Sequence, residues 1–128
     1  MSPTNKEHAW QQGKIIRLLN QLMPRGNALP ELAVDTADNT KTPDVVWVSG
    51  ERWQSMADGP SCSIAPEICI EVLSPSNTRE EMNLKRRLYF TAGAIECWEC
   101  DGKGRVSFFD SNGPINQSRL CPQFPSTV

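Results

Sequence analysis

The sequence lacks any long hydrophobic run. Its longest apolar stretches, Val45–Val48 and Ile68–Ile70, are only a few residues long, whereas a bilayer span needs about 20. The polar segment Met1–His8 also lacks the apolar centre of a secretory signal peptide. We therefore expect a cytoplasmic protein without a membrane-spanning segment.

The chain has no excess of positive charge either. Its 13 Lys and Arg residues face 15 Asp and Glu residues, which leaves a net charge of −2. A protein that coats nucleic acid usually has a basic surface, so the composition argues against that class. It argues less against an enzyme that binds phosphate locally through a metal ion.

The cysteines do not form an even set. Five are present, and an odd number does not suit a disulfide scaffold. Cys97 and Cys100 have the spacing of a metal or redox pair, but on a strand residues three apart point to opposite faces and cannot ligate one metal. We expect all five to be reduced thiols.

What the chain does have is the composition of one globular domain. It is 128 residues long with 38% hydrophobic residues, which is enough for a single core. Apolar spacing, turn residues and capping signals predict the following elements: a helix over 5–23, a strand pair over 29–36 and 44–49, helical turns over 51–57, a central strand over 67–73, a helix from Thr78 to Ala92, a hairpin over 95–100 and 105–109, and an edge strand near 117–121. This order predicts an α/β (α+β) fold, with a mixed central sheet flanked by helices.

The most unusual residue in this pattern is Glu71, an acid inside an apolar strand. A buried carboxylate is costly unless it is paired or binds a metal. Asp44 begins another strand directly after Pro43, and the two acids would converge if those strands are neighbours. Two carboxylates with a backbone carbonyl and water suit Mg²⁺ or Mn²⁺. In the alternative interpretation, Asp44 caps a turn and Glu71 pairs with an Arg or Lys.

Lys85 lies on the helix that follows the Glu71 strand. Directed inward, its ammonium group could position a water nucleophile or offset charge on a phosphate in the transition state. Directed outward, it would form an exposed pair with Glu81, four residues earlier. The sequence alone leaves both orientations open.

Histidine and tryptophan carry weaker signals. His8, the single histidine, is expected to have a capping or surface role near the start of the first helix. The tryptophans are expected to lie in the core or in an interface rather than to stack on bases; they are Trp10, Trp47, Trp53 and Trp98.

An ordered set of short motifs resembles the Uma-two family of restriction-endonuclease-like proteins. The motifs are Pro43–Val46, Glu71–Ser76, Lys85–Tyr89, Ala92–Ala94 and Glu96–Trp98. Each is weak alone, but together they follow the family order over nearly the whole chain. The resemblance implies one restriction-endonuclease-like domain over residues 1–128, related to the PD-(D/E)XK nucleases.

The resemblance also implies a role for individual residues. Asp44 matches the first acid of the motif and Glu71 the second, and the backbone carbonyl of Val72 would be a further metal ligand. Leu73 stands where the superfamily usually has lysine, and in the Uma-two pattern that lysine corresponds to Lys85 on the next helix.

Supporting roles are less defined by the resemblance. Ser74 matches a family serine that would shape the turn after the strand. Gln12, Glu7 and Glu31 are candidates for a further polar group near the metal.

The expected function is that of a metal-dependent endonuclease that hydrolyses DNA with Mg²⁺ or Mn²⁺. A homodimer would suit cleavage of both strands. Because fold does not dictate activity, a catalytically inactive binding or assembly module on the nuclease scaffold is the alternative. A small-molecule or nucleotide hydrolase that uses the same metal site is a third interpretation.

Overall fold

A computed structural model describes residues 5–128 of the chain. Its elements, in chain order, are α1 (Lys6–Leu22), β1 (Gly26–Pro30), β2 (Val34–Thr36), β3 (Asn39–Lys41), β4 (Val45–Ser49), α2 (Gly50–Ser55), β5 (Ile68–Val72), α3 (Arg79–Thr91), β6 (Glu96–Cys100), β7 (Val106–Asp110) and β8 (Gly113–Ile115). The helices and the central strands lie close to the positions that the sequence predicts.

The main sheet has six strands in the order β1-β4-β5-β6-β7-β8. All neighbours are antiparallel except β5 and β6, which are parallel. A parallel pair needs a crossover connection, and α3 lies between these two strands in the chain. The predicted mixed sheet flanked by helices is therefore confirmed.

The two faces of the sheet carry separate cores. On one face Ile70 and Val72 belong to the cluster that includes Ile15 and Leu19 of α1. On the other face Cys69 belongs to the cluster that includes Tyr89 of α3. The strand β5 is buried along its whole length, as its apolar sequence predicts for a strand covered on both faces.

The predicted strand over 29–36 is wrong in its extent. The chain pairs with β4 over Gly26–Pro30 and then turns at Glu31, which has a positive φ of 51°. Val34–Thr36 forms a separate two-stranded ribbon with Asn39–Lys41. Left-handed backbone interrupts a strand, so one alternating segment becomes two strands in different sheets.

The edge strand expected near residues 117–121 is also wrong. Residues 117–121 belong to no strand, and the strand at this edge of the sheet is β8. The N–H groups of Arg119 and Leu120 donate to the Glu96 carboxylate at 2.8 and 2.9 Å. These two N–H groups therefore donate to a buried carboxylate instead of to the backbone of a neighbouring strand.

The cysteine prediction is confirmed, because all five are free and buried. Cys97 and Cys100 belong to the cores on opposite faces of the sheet. The tryptophan prediction holds for two residues: Trp47 and Trp98 are core residues, whereas Trp10 is 73% exposed and Trp53 is 49% exposed.

Within residues 5–128, the helices are too short or too polar to cross a membrane.

Candidate active site

The site lies at the point where β4 begins and β5 ends. Val45 pairs with Ile70 and Val46 with Cys69, so the same register places Asp44 opposite Glu71. Val46 and Cys69 belong to the core beneath α3, and by strand alternation Asp44 and Glu71 point to that same face. In a directly opposed pair the Cβ atoms are about 4.5–5.5 Å apart.

Asp44 is tied to its surroundings through both its side chain and its backbone. Its Oδ2 accepts a hydrogen bond from the backbone N–H of Val72 at 2.7 Å and lies 3.5 Å from Nε2 of His8. Its carbonyl oxygen accepts from Nε2 of Gln12 at 2.7 Å and from the N–H of Glu31 at 3.2 Å. These contacts hold both the carboxylate and the backbone of Asp44 in place.

The carbonyl of Val72 faces the same side as Asp44. The N–H of Leu73 donates to Cys100 on β6, so by alternation the N–H and C=O of Val72 point toward β4. The β4–β5 register places Val72 opposite Pro43, which has no N–H to donate. The Val72 carbonyl consequently receives no ladder hydrogen bond from that position, whereas its N–H is satisfied by Asp44.

Glu71 is held by two side chains of α3. Its Oε1 lies 3.7 Å from Nζ of Lys85, and its Oε2 accepts a hydrogen bond of 2.6 Å from the Tyr89 hydroxyl. Burial raises the pKa of Glu71 to about 7, the charge of Asp44 adds to the increase, and Lys85 and Tyr89 oppose it. A carboxyl with this pKa exchanges its proton near neutral pH.

Lys85 points toward Glu71 rather than along the helix surface. The carboxylate of Glu81, the alternative partner, accepts from the N–H of Thr78 at 3.3 Å in the capping box. Glu81 thus closes the first turn of α3. The side chain of Lys85 is 28% exposed, so it can reach solvent as well as Glu71.

The four supporting candidates have different positions. Glu7 is exposed in the first turn of α1. Gln12 bridges the Asp44 carbonyl and Oε2 of Glu31, which is 3.3 Å from its Nε2. Glu31 itself is exposed. Ser74 shapes the turn after β5, because its N–H donates to Oδ1 of Asn77 at 2.8 Å and its hydroxyl is 2.9 Å from the hydroxyl of Ser76.

Comparison with known proteins assigns this chain to a family. A family model described as "Uma2: Putative restriction endonuclease" matches residues 1–125. The chain belongs to the Uma2 family. No curated protein matches this chain.

A solved structure has a similar fold to this Uma2 protein. It is described as the crystal structure of a "putative nuclease belonging to DUF820" from Anabaena variabilis ATCC 29413. The TM-score is 0.70 at 19% sequence identity, and the match covers 98% of this chain and 67% of that one. At this identity the likeness shows the fold.

The Uma2 site includes two residues that the sequence analysis did not place there. Tyr89 lies one turn after Lys85, so helical spacing puts both on the same face and could have identified it. His8 was expected in a cap or at the surface, and its N–H does take part in the cap of α1, where it donates to Oδ1 of Asn5 at 2.8 Å. Its ring is half-buried beside Asp44, and within residues 5–128 its buried Nδ1 has no hydrogen-bond partner.

A second buried acid stands next to Glu71. The β5–β6 register pairs Glu71 with Glu99, and Nη1 of Arg86 lies 2.6 Å from Oε2 of Glu99. The guanidinium of Arg86 also lies 3.9 Å from the centre of the Phe109 ring. The positive charge of Arg86 therefore offsets the negative charge of Glu99. Lys85 is paired with Glu71 instead.

The donor atoms at this site fit a hard divalent cation. In the described part of the chain, no three side chains of His, Cys, Asp or Glu come together as a metal-binding group. Mg²⁺, however, commonly binds through one or two carboxylates and retains several waters. Asp44, Glu71 and the Val72 carbonyl supply oxygen atoms, which are the ligands that Mg²⁺ and Mn²⁺ prefer.

Proposed function

We propose that this Uma2 protein is a metal-dependent endonuclease that hydrolyses phosphodiester bonds in DNA. The observation that carries the proposal is the placement of Asp44 and Glu71 opposite one another on one sheet face, with Nζ of Lys85 3.7 Å from Glu71. The family description and the nuclease described for the structural neighbour support the same reaction class.

A Mg²⁺ or Mn²⁺ ion would be held by Asp44, Glu71 and the carbonyl of Val72. Bound there, it would neutralise charge on the scissile phosphate and lower the pKa of a coordinated water. The N–H of Val72 keeps the Asp44 carboxylate directed at the end of β5. Gln12 holds the backbone of the same residue from α1.

In addition to the charge of the metal ion, Lys85 would place a positive charge of the protein itself at the site. An ammonium group has three donors, so Lys85 can keep its contact with Glu71 and also donate to a phosphate oxygen or to the attacking water. A group that stabilises developing negative charge typically accounts for a factor of about 10²–10³ in rate.

Local charge on α3 supports an anionic substrate despite the net charge of −2. Besides Lys85, the helix carries Arg79, which is 76% exposed, and Arg87, which is also exposed. Exposed cationic side chains attract phosphate groups. Arg79 lies 4.0 Å from Glu99. Arg87, two residues after Lys85, projects from a different side of the helix. The helix that carries the lysine therefore has cationic groups available to the DNA backbone.

The test combines metal titration with cleavage of duplex DNA. Wild-type protein is expected to bind Mn²⁺ in calorimetry and to cut duplex DNA only when Mg²⁺ or Mn²⁺ is present. Asp44→Asn should lose both properties. Lys41→Ala is the matched control, because it removes a lysine outside the site, whose Nζ lies 3.5 Å from Oδ2 of Asp38. This variant should bind metal and cut DNA like wild type.

Other outcomes would replace the proposal. A protein that binds metal but cuts no nucleic acid is a binding or assembly module on a nuclease scaffold. Metal-dependent hydrolysis of nucleotides without cleavage of duplex DNA would assign the site to a nucleotide hydrolase. Absence of metal binding by the wild type would remove the basis for either enzyme.

The proposal includes a two-fold dimer, since each chain has one site and a duplex has two strands. Light scattering of the protein with and without DNA measures this directly. A monomer that nicks one strand at a time would keep the enzymatic proposal and reject the dimer.

A further inference from the structure

Tyr89 makes a contact that its packing alone does not require. Its side chain is 1% exposed and belongs to the core between the sheet and α3. A phenylalanine would fill the same apolar space, but the hydroxyl donates to Oε2 of Glu71 at 2.6 Å. The polar end of this buried ring is therefore directed at one oxygen of the site.

The two oxygens of Glu71 have different partners on the same helix. Tyr89 holds Oε2, and Lys85 lies near Oε1 at 3.7 Å. Tyr89 and Lys85 are four residues apart, so their side chains project from one face of α3. The buried tyrosine has few rotatable bonds, whereas Lys85 is long and partly exposed. The tyrosine is thus the more rigid of the two partners.

The helix that carries both side chains is itself held in place. The capping box of Thr78 and Glu81 closes its first turn. Arg86, next to Lys85, is bound to Glu99 at 2.6 Å and to Oδ1 of Asn83 at 2.7 Å. With the helix held at these points, the position of the Tyr89 hydroxyl is determined by the fold rather than by Glu71.

We propose that Tyr89 is a positioning residue for Glu71: by binding Oε2 it sets the orientation of the carboxylate and leaves Oε1 for the divalent cation and Lys85. The inference rests on the proposed metal-dependent function and adds the residue that orients its second acid. Partners that orient a metal ligand typically change metal affinity or activity by about 10- to 100-fold when they are removed.

The test uses Tyr89→Phe, which removes the hydroxyl and keeps the ring. We expect the variant to fold, to bind Mn²⁺ about 10- to 100-fold more weakly than wild type in calorimetry, and to lose cleavage activity in proportion. Ser118→Ala is the matched control, because the Ser118 hydroxyl donates to the buried Glu96 at the same 2.6 Å on the other face of the sheet. It should lower stability without weakening Mn²⁺ binding.

A second measurement does not depend on metal. In metal-free crystals of Tyr89→Phe, the carboxylate of Glu71 should leave the orientation that it has in the wild type. An unchanged orientation of Glu71 together with wild-type Mn²⁺ affinity would overturn the inference. If wild-type protein binds no metal, the proposed function fails, and the crystal comparison alone decides whether Tyr89 orients Glu71.

Discussion

At the scale of single residues, the site depends on how a buried acid is compensated. Glu71 lies inside a strand that is otherwise apolar, and a lone carboxylate there would be costly. Tyr89 offsets part of that cost with a hydrogen bond and Lys85 with its charge. The remaining burial still raises the pKa of Glu71 to about 7, so the acid is only partly ionised at neutral pH without a cation.

Replacement of Lys85 by alanine tests the proposed catalytic role of the lysine. Lys85→Ala should fold and bind Mn²⁺, because the metal ligands remain, while turnover on duplex DNA falls by about a hundredfold or more. Single-turnover cleavage rates of wild type and variant give the comparison, with Asp44→Asn as the metal-free control. If Lys85→Ala cuts as fast as wild type while Asp44→Asn is inactive, the catalytic cation lies elsewhere.

The raised pKa of Glu71 also predicts how metal affinity depends on pH. Below about pH 7 a cation must displace the proton of Glu71, so apparent Mn²⁺ affinity should fall about tenfold for each pH unit. Above that value the affinity should level off. Calorimetry from pH 5.5 to 8.5 measures the slope, and an affinity independent of pH below 7 would exclude Glu71 as a ligand that must lose its proton.

The raised pKa of Glu71 also makes the stability of the metal-free protein depend on pH. In the folded state the pKa of Glu71 is about 7, whereas the ordinary pKa of a glutamate side chain is 4.5. This contribution to stability is therefore fully present below pH 4.5 and is lost as the pH rises through about 7. Urea unfolding of wild type and Glu71→Gln in the presence of chelator should show the two curves diverging over that range.

At the scale of elements, α3 is the part of the molecule that assembles the site. It follows β5 in the chain, and it presents Lys85 and Tyr89 toward Glu71. Its rotation about its own axis is set by Arg86, which reaches Glu99 on β6 and stacks on the Phe109 ring of β7. These contacts fix α3 against β6 and β7, the two strands that follow β5 in the sheet order.

Loss of Arg86 should therefore be much more damaging than loss of the next arginine. Arg86→Ala would leave Glu99, 7% exposed, without its closest cation, and removal of one partner of a buried pair typically costs about 3–5 kcal/mol. Arg87→Ala, at an exposed position of the same helix, should stay within about 0.5 kcal/mol of wild type. Urea unfolding compares the two, and equal stabilities would show that Arg86 does not hold the helix.

At the scale of the whole molecule, the buried acid Glu96 joins the segment after β8 to the sheet. Glu96 is 1% exposed and accepts hydrogen bonds from the side chains of Trp98 and Ser118 and from two backbone N–H groups beyond residue 118. Phe124 then packs on Trp98, with ring centres 4.7 Å apart. The segment closes the core on the face opposite the candidate site.

Glu96→Gln should destabilise the whole fold. An amide offers one acceptor oxygen in place of two, so its NH₂ group would face donors that now bind a carboxylate, and unsatisfied buried polar groups cost about 1–3 kcal/mol each. We expect a loss of at least about 2 kcal/mol in urea unfolding and faster labelling of the buried Cys121 thiol. Glu7→Gln, at an exposed position, is the control, and equal labelling rates in the two variants would contradict this account.

Some features of this protein follow from the sequence by itself. Local patterns predict α1, β5 and α3, because helical spacing, a continuous apolar run and the Thr78–Glu81 capping box each involve residues close together in the chain. The family follows from motifs in order, and the family model confirms it. The roles of Asp44, Glu71 and Lys85 in catalysis stay predictions.

Other features were decided only by the tertiary structure, since they depend on which strands become neighbours. The placement of Asp44 opposite Glu71 depends on the pairing of β4 with β5. The choice of Glu71 over Glu81 as the partner of Lys85 depends on how α3 packs on the sheet. The sequence pattern at Glu96 likewise does not identify three of its four donors, because the Ser118 hydroxyl and the N–H groups of Arg119 and Leu120 lie more than 20 residues away. Contacts of this kind are non-local, and no local pattern of apolar and polar residues encodes them.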